Sequence, residues 1–261
     1  MHPFALLGRF FLPAALLLGV AQVHAGLIAH YKFDETSGTT AADSSGNGNT
    51  GTLNGMTGTE WTTGKVGGAL DFDGSNDYVD LGTSLANNLG DVTFAAWIYR
   101  EGSNGTYGEI FANEFLVSFS IKNSSSKLHL NFGHGTGWGS KTESNSAIPM
   151  NQWVHVAATR SGSDTKVYVD GVLERTGSNS LTGSNSKALG IGRKPTSGIF
   201  NGLIDEVRYY NNALSASEVS ALAAGGSSAP EPAETFAFLG LLSASGLGFR
   251  EWRSRRKAKA A

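Results

Sequence analysis

Residues 153–175 read WVHVAATRSGSDTKVYVDGVLER. Trp153–Arg160 and Lys166–Val169 are short runs rich in β-branched and aromatic residues, and each reads as a strand. Asp170-Gly171 follows as a two-residue turn. A tight primed turn needs positive φ at both central positions, and Asp-Gly meets that need at little steric cost. Val172–Arg175 then returns as the partner strand.

The same grammar repeats outward from this hairpin. Val92–Tyr99 is apolar throughout and is expected as a central strand buried on both faces. Glu109–Ala112, Phe115–Lys122 and Lys127–Phe132 read as a meander, with Asn123-Ser124-Ser125-Ser126 as a turn. Ala69–Phe72 and Tyr78–Leu81 flank Asp73-Gly74-Ser75-Asn76-Asp77, which reads as a hairpin turn. Leu27–Phe33 opens the domain; Ala188–Gly192 and Leu203–Tyr210 close it. Roughly a dozen such strands predict an all-β, two-sheet antiparallel sandwich. One helix is predicted, with Ser215 as N-cap, Glu218 completing a capping box and Val219, Leu222 and Ala223 facing inward. Phe72, Tyr78, Phe94, Trp97, Trp153, Val156 and Tyr168 are expected to share the interior, each large ring removing about 150–250 Å² from water.

Composition agrees. The chain of 261 residues holds 35 glycines, 6 prolines and no cysteine. Tight turns explain the glycine, and a chain without thiols must rely on packing. The formal charge is −2, but residues 26–229 hold 13 basic and 19 acidic residues, or −6. A mildly acidic surface argues against nucleic acid as a partner.

The two ends are read as addresses. Arg9, an apolar run and Val23-His24-Ala25 predict a signal peptide over 1–25, removed by signal peptidase. At the other end Pro230-Glu231-Pro232 precedes an apolar run from Thr235 to Phe249 and a basic end with Arg253, Arg255 and Arg256. This order resembles the PEP-CTERM sorting signal of Gram-negative bacteria. The resemblance implies recognition and removal of the tail by an exosortase, transient inner-membrane anchoring through a short transmembrane helix, and delivery to the cell envelope, outer surface or extracellular biofilm matrix. The expected organisation is a signal peptide (1–25), a folded domain (26–224), a linker (225–229) and a sorting tail (230–261).

Five segments carry a second resemblance. They are Tyr31–Glu35 with Asp43–Asn47; Gly68–Gly74 with Asp77–Val79; Thr93–Ile98; Trp153–Ala157 with Val167–Gly171; and Ile191–Arg193 with Phe200–Arg208. In this order they resemble the laminin-G-like, concanavalin A-like lectin/glucanase jelly roll. Arg100 to Met150 matches least and is expected to hold what is particular to this chain.

The resemblance implies a structural calcium and neighbouring first and last strands. The loop Asp43–Asn49 is dense in oxygen donors of the kind calcium takes, so Asp43, Asn49 and Asp205 are the candidate Ca²⁺ ligands, against an ion-free Asx turn. For a glycan, Trp138 and His134 on one glycine-rich loop and Tyr107 on another are the candidates: rings stack on sugar faces. Catalysis is not expected. The glucanase signature Glu-x-Asp-x-x-Glu is absent, and Asp205 and Glu206, adjacent on a strand, would face opposite ways. The expected function is an exported, non-catalytic module binding glycan or matrix exopolysaccharide. The alternatives are a structural or adhesive surface protein that binds proteins, and a divergent glycosidase.

Overall fold

The computed structural model describes residues 26–225, apart from residues 87–88, 134–136, 180–186 and 195–197. The predicted signal peptide and the sorting tail, including Pro230, Glu231, Pro232, Arg253, Arg255 and Arg256, lie outside the described residues, as does His134. Among the described residues no helix is long and apolar enough to cross a membrane.

Two antiparallel sheets face each other. The first runs β14 (Val172–Ser178), β13 (Asp164–Val169), β12 (Trp153–Ser161), β7 (Val92–Arg100), β18 (Asn201–Tyr210), β5 (Gly68–Asp73) and β4 (Trp61–Thr63), and β1 (Leu27–Tyr31) also pairs with β18. The second runs β11 (Trp138–Ala147), β10 (Lys127–Gly133), β9 (Val117–Lys122), β8 (Tyr107–Asn113), β15 (Leu189–Ile191), β6 (Tyr78–Asp80), β3 (Gly51–Asn54) and β2 (Thr40–Ala41). A short pair, β16 (Arg193–Lys194) and β17 (Gly198–Ile199), lies against β8. This is the predicted all-β sandwich, and its first and last strands are neighbours.

The Asp170-Gly171 turn joins β13 to β14 with φ of 47° and 77°, the left-handed pair that a primed turn requires. The helix α1 (Ala216–Ala223) forms as predicted. Ser215 and Glu218 close a reciprocal capping box, and Val219 and Leu222 are buried. They cover Ala95, Ala157, Tyr168 and Tyr210 on the outer side of the first sheet. That covering explains why β7 reads as apolar throughout: Val92, Phe94, Ala96 and Ile98 enter the main core, while Ala95 lies under the helix.

Four expectations change. The segment Asp73–Asp77 is not a hairpin turn, because β5 belongs to the first sheet and β6 to the second. It is a crossing, closed by the Asp73 N–H donating to Asp77 Oδ2 at 3.0 Å. Tyr78, Trp97, Trp153 and Tyr168 do not share the interior, Tyr168 lying under α1 instead. Side chains alternate along a strand, so Phe94 and Trp97 cannot face the same way, nor can Trp153 and Val156. Trp97 lies on the outer face beside His155, at 5.3 Å between rings, with Lys65 Nζ 4.8 Å above it. Strict alternation also fails at Asp205-Glu206. A β-bulge falls between Asp205 and Arg208, with Glu206 at φ 53°, and both carboxylates are buried. Finally, β11 was not predicted. Its sequence, WGSKTESNSA, has no apolar period because it is an edge strand with little core to face.

Gly192 sits at φ 84°, where an added Cβ would lie 2.2 Å from the Phe72 ring; Gly46 sits at φ 89° with open space around it. Both alanine substitutions incur the left-handed backbone penalty, about 1–2 kcal/mol. Only Gly192→Ala adds overpacking, about 1–3 kcal/mol more. Urea unfolding of the two variants is expected to show Gly192→Ala the less stable by that difference.

Candidate functional site

The second sheet turns one face to the core and the other outward, and the outward face is polar but buried. Strand register places Glu109 opposite Ser120, Ser120 opposite His129, and His129 opposite Glu143. These four residues form one row across β8, β9, β10 and β11. Ser118 and Asn131, opposite one another, extend it by a second row. Glu109, Ser120 and His129 are exposed by 1%, 0% and 3%. Ser118 Oγ donates to Glu109 Oε2 at 2.8 Å and lies 3.1 Å from Ser120 Oγ. The β16–β17 pair reaches over Glu109. At Gly198 an added Cβ would meet Glu109 Cγ at 2.2 Å, so only glycine permits this approach.

The charged groups here are set by burial and by one another. Burial holds the His129 imidazole down at about 4, against the pull of Glu143. At neutral pH the ring is therefore uncharged and offers one donor and one acceptor nitrogen. Partial burial would raise the Glu143 carboxyl. Hydrogen bonds from Lys141 and His129, and the charges of Lys141 and Lys122, outweigh it and hold the group below the usual carboxylate range.

Aromatic rings stand at the two ends of this floor. Tyr107 packs on His129 at 4.9 Å, and Trp138 packs on Phe115 at 6.1 Å. Tyr107 pairs with Lys122 at one end of β9; Trp138 pairs with Gly133, next to the Phe132–Val117 pair at the other. Five residues of strand separate the ends, about 17 Å. The two predicted glycan residues thus share a sheet but are not adjacent. Sequence reasoning missed the floor between them. Its signal was present: VSFSIK and KLHLNFG each alternate polar and apolar, with Ser118, Ser120, His129 and Asn131 in the polar phase.

The predicted calcium ligands are brought only partly together. Asp43 Oδ1 accepts from the N–H groups of His30 and Ser45 at 3.0 and 2.8 Å. Its Oδ2 accepts from Ser45 Oγ and the Asn49 N–H at 2.8 and 2.9 Å. Asn49 Nδ2 donates to the Ile28 carbonyl at 2.8 Å. Asp43 and Asn49 therefore tie the loop to β1 as an Asx turn. Asp205 lies under residues 64–67 instead, where its Oδ2 accepts from the Val66 N–H at 2.9 Å. Its Oδ1 is buried and has no hydrogen-bond partner. Among the described residues, no three His, Cys, Asp or Glu side chains group so as to hold a metal ion.

The comparisons with known proteins fit this geometry. Residues 73–220 match a laminin G-type family described as the concanavalin A-like lectin/glucanases superfamily. That is more than half the chain, and the chain belongs to this family. Domain 4 of AbnA, a GH43 extracellular arabinanase from Geobacillus stearothermophilus solved in complex with arabinotriose, is 27% identical with a TM-score of 0.62; the match covers 77% of this chain and 99% of that domain. The binding domain of Paraclostridial Mosquitocidal Protein 1 is 17% identical with a TM-score of 0.59, over 76% of this chain and 52% of that one. A mutant Trypanosoma rangeli sialidase is 15% identical with a TM-score of 0.55, over 76% and 32%. These last two share the fold. No curated protein matches the chain.

Burial pushes the Asp205 carboxyl up to about 7; the Val66 N–H pulls it down and the Glu206 charge adds to the rise. A carboxyl that binds its proton more tightly when folded loses native stability as pH climbs from about 4 to about 7. Asp205→Asn removes that loss. Urea unfolding across this window is expected to show the variant gaining on the wild type as pH rises; a constant difference would contradict the assignment.

Proposed function

We propose that this chain is an exported, non-catalytic carbohydrate-binding module that holds a glycan along the outer face of its second sheet. One observation carries the reading: the buried polar row Glu109–Ser120–His129–Glu143, lying between the aromatic pairs Tyr107–His129 and Phe115–Trp138. A sugar offers many hydroxyls, each donor and acceptor. Glu143 and Lys141, whose side chains stay open to solvent, supply acceptor and donor, the buried Glu109, Ser120 and His129 fix the face beneath them, and rings at the ends supply flat apolar faces. The 27% identity to a domain solved with arabinotriose supports the same ligand class.

A binding role suits the carboxylates better than hydrolysis does. Glycosidases need two carboxyl groups about 5–10 Å apart. Glu109 and Glu143 stand three strands apart, roughly 14 Å at the backbone, with Ser120 and His129 between them. Export follows from the leader over 1–25 and the tail with Pro230-Glu231-Pro232. Signal peptidase and an exosortase would process the chain and deliver it to the envelope or matrix of a Gram-negative bacterium.

The test is a glycan array followed by calorimetry on the full-length protein, with arabinotriose among the first ligands. Tyr107→Ala and Trp138→Ala are each expected to weaken binding by about tenfold, or about 1.4 kcal/mol, without lowering the melting temperature. Binding of a neutral sugar should stay constant from about pH 8 to about 5.5 and fall only as His129 gains its proton near 4. Unaltered affinity in both variants would remove the face from consideration.

A further inference from the structure

Beside the polar floor, at the edge where β10 and β11 meet β14, lies an open depression of ≈ 220 Å³ lined by Lys127, Lys141, Glu143, Ser144 and Arg175. Three of its five lining residues are cations and one is an anion, in a domain whose formal charge is −6. The single carboxylate is already shared. Glu143 Oε1 lies 3.2 Å from Lys141 Nζ, 3.5 Å from Lys122 Nζ and 3.4 Å from His129 Nδ1. Among the described residues the other two cations form no ion pair. Arg175 meets only a neutral amide, donating from Nη1 to Asn145 Oδ1 at 3.3 Å, and Lys127 makes no ion pair among the described residues. The adjacent Glu174 forms no ion pair with Arg175 among the described residues; its oxygens accept from the N–H groups of Asn145 and Ser146 at 3.0 and 2.9 Å and from Ser146 Oγ at 3.0 Å.

A guanidinium and an ammonium that form no ion pair among the described residues, lining one hollow in an otherwise acidic domain, form a local attractor for an oxyanion. A planar guanidinium suits a carboxylate or sulfate particularly well. We propose that this depression seats the anionic group of an acidic sugar, uronate or sulfate ester, so that the glycan held on the second sheet is an acidic polysaccharide. The inference rests on the glycan-binding reading and names its ligand class. Glu143 belongs to both the depression and the polar row, and Lys141 pairs with Asn131 in the next row, so one chain of sugar can touch both. Lys127 and Arg175 then select for charge, while Tyr107, Trp138 and the polar floor hold the ring and its hydroxyls.

Calorimetry on the full-length protein tests this with four probes: an oligogalacturonate, a sulfated oligosaccharide, neutral arabinotriose and inorganic sulfate. One or both acidic sugars are expected to bind at least about tenfold more tightly than the neutral one at about 0.01 M salt. The preference should vanish near 1 M, where the Debye length falls from about 30 Å to about 3 Å. Lys127→Gln and Arg175→Gln should each cut acidic-sugar affinity by about fivefold or more and leave arabinotriose binding and the melting temperature unchanged. Which acidic sugar responds distinguishes uronate from sulfate. Neutral binding with no acidic preference would overturn the proposal and leave the glycan reading standing. Acidic binding that depends on Arg175 but ignores Tyr107→Ala and Trp138→Ala would overturn the placement of the glycan on the second sheet, and with it both readings as stated. No binding of any sugar would overturn both. Inorganic sulfate binding as tightly as the acidic sugars would reduce the site to a simple anion pocket and overturn the sugar assignment.

Discussion

Phe94, Phe111, Phe119 and Tyr209 meet ring to ring between the sheets. The Phe94 centroid lies 4.6 Å from Phe111, 5.3 Å from Tyr209 and 6.3 Å from Phe119, and Phe111 lies 5.8 Å from Tyr209. Two of these rings come from β7 and β18 at the centre of the first sheet, and two from β8 and β9 at the centre of the second. This contact fixes the facing of all four strands, because a side chain's direction fixes that of its neighbours by alternation. Once Phe111 and Phe119 point inward, Ser118 and Ser120 must point outward. The polar floor is therefore the obligate reverse side of the aromatic core, and no separate device is needed to display it.

That dependence explains what could be read from the chain and what could not. The hairpin at Asp170-Gly171, the capping box at Ser215 and Glu218 and the apolar β7 are local patterns, and each formed as its residues dictate. The floor is legible within single strands as period-two polarity, yet which polar phases align across four strands depends on register, and register depends on bulges such as the one between Glu109 and Phe111. The sheet assignment of β6 was hidden for a similar reason. Asp73–Asp77 has turn chemistry, and the same chemistry serves a hairpin or a crossing between layers. Trp97 and Trp153 looked like core because tryptophan is large and apolar, but parity against Phe94 and Val156 places them outside. The edge strand β11 carries little apolar signal because little of it meets the core.

The charge pattern has the same origin. Strands that supply the core with one face are free to carry any polar residue on the other, and here the two sheets differ. Asp71 is raised by burial and by the nearby charges of Glu101, Asp77, Asp73 and Glu60, which marks an acidic region at the β5 side of the first sheet. Lys122, Lys127 and Lys141 gather toward the β11 edge of the second, where Arg175 of the first sheet's edge strand β14 joins them. A domain with an overall negative charge thus presents two unlike surfaces, and partners of opposite sign approach different sides of it.

The bulge at Asp205-Glu206 is where β18 changes partner along one edge. Residues 201–204 pair with β5, and residues 207–210 pair with β1. The opening strand thus has its place only beside the closing one, nearly 180 positions later in the chain; His30 and Arg208 are direct neighbours there. A chain emerging from the N-terminal end can fold local hairpins early, but it cannot seal its seam until residue 210 is free to move. Such long-range closure is slow, and it keeps the unfinished chain slack for as long as its final strand is held back.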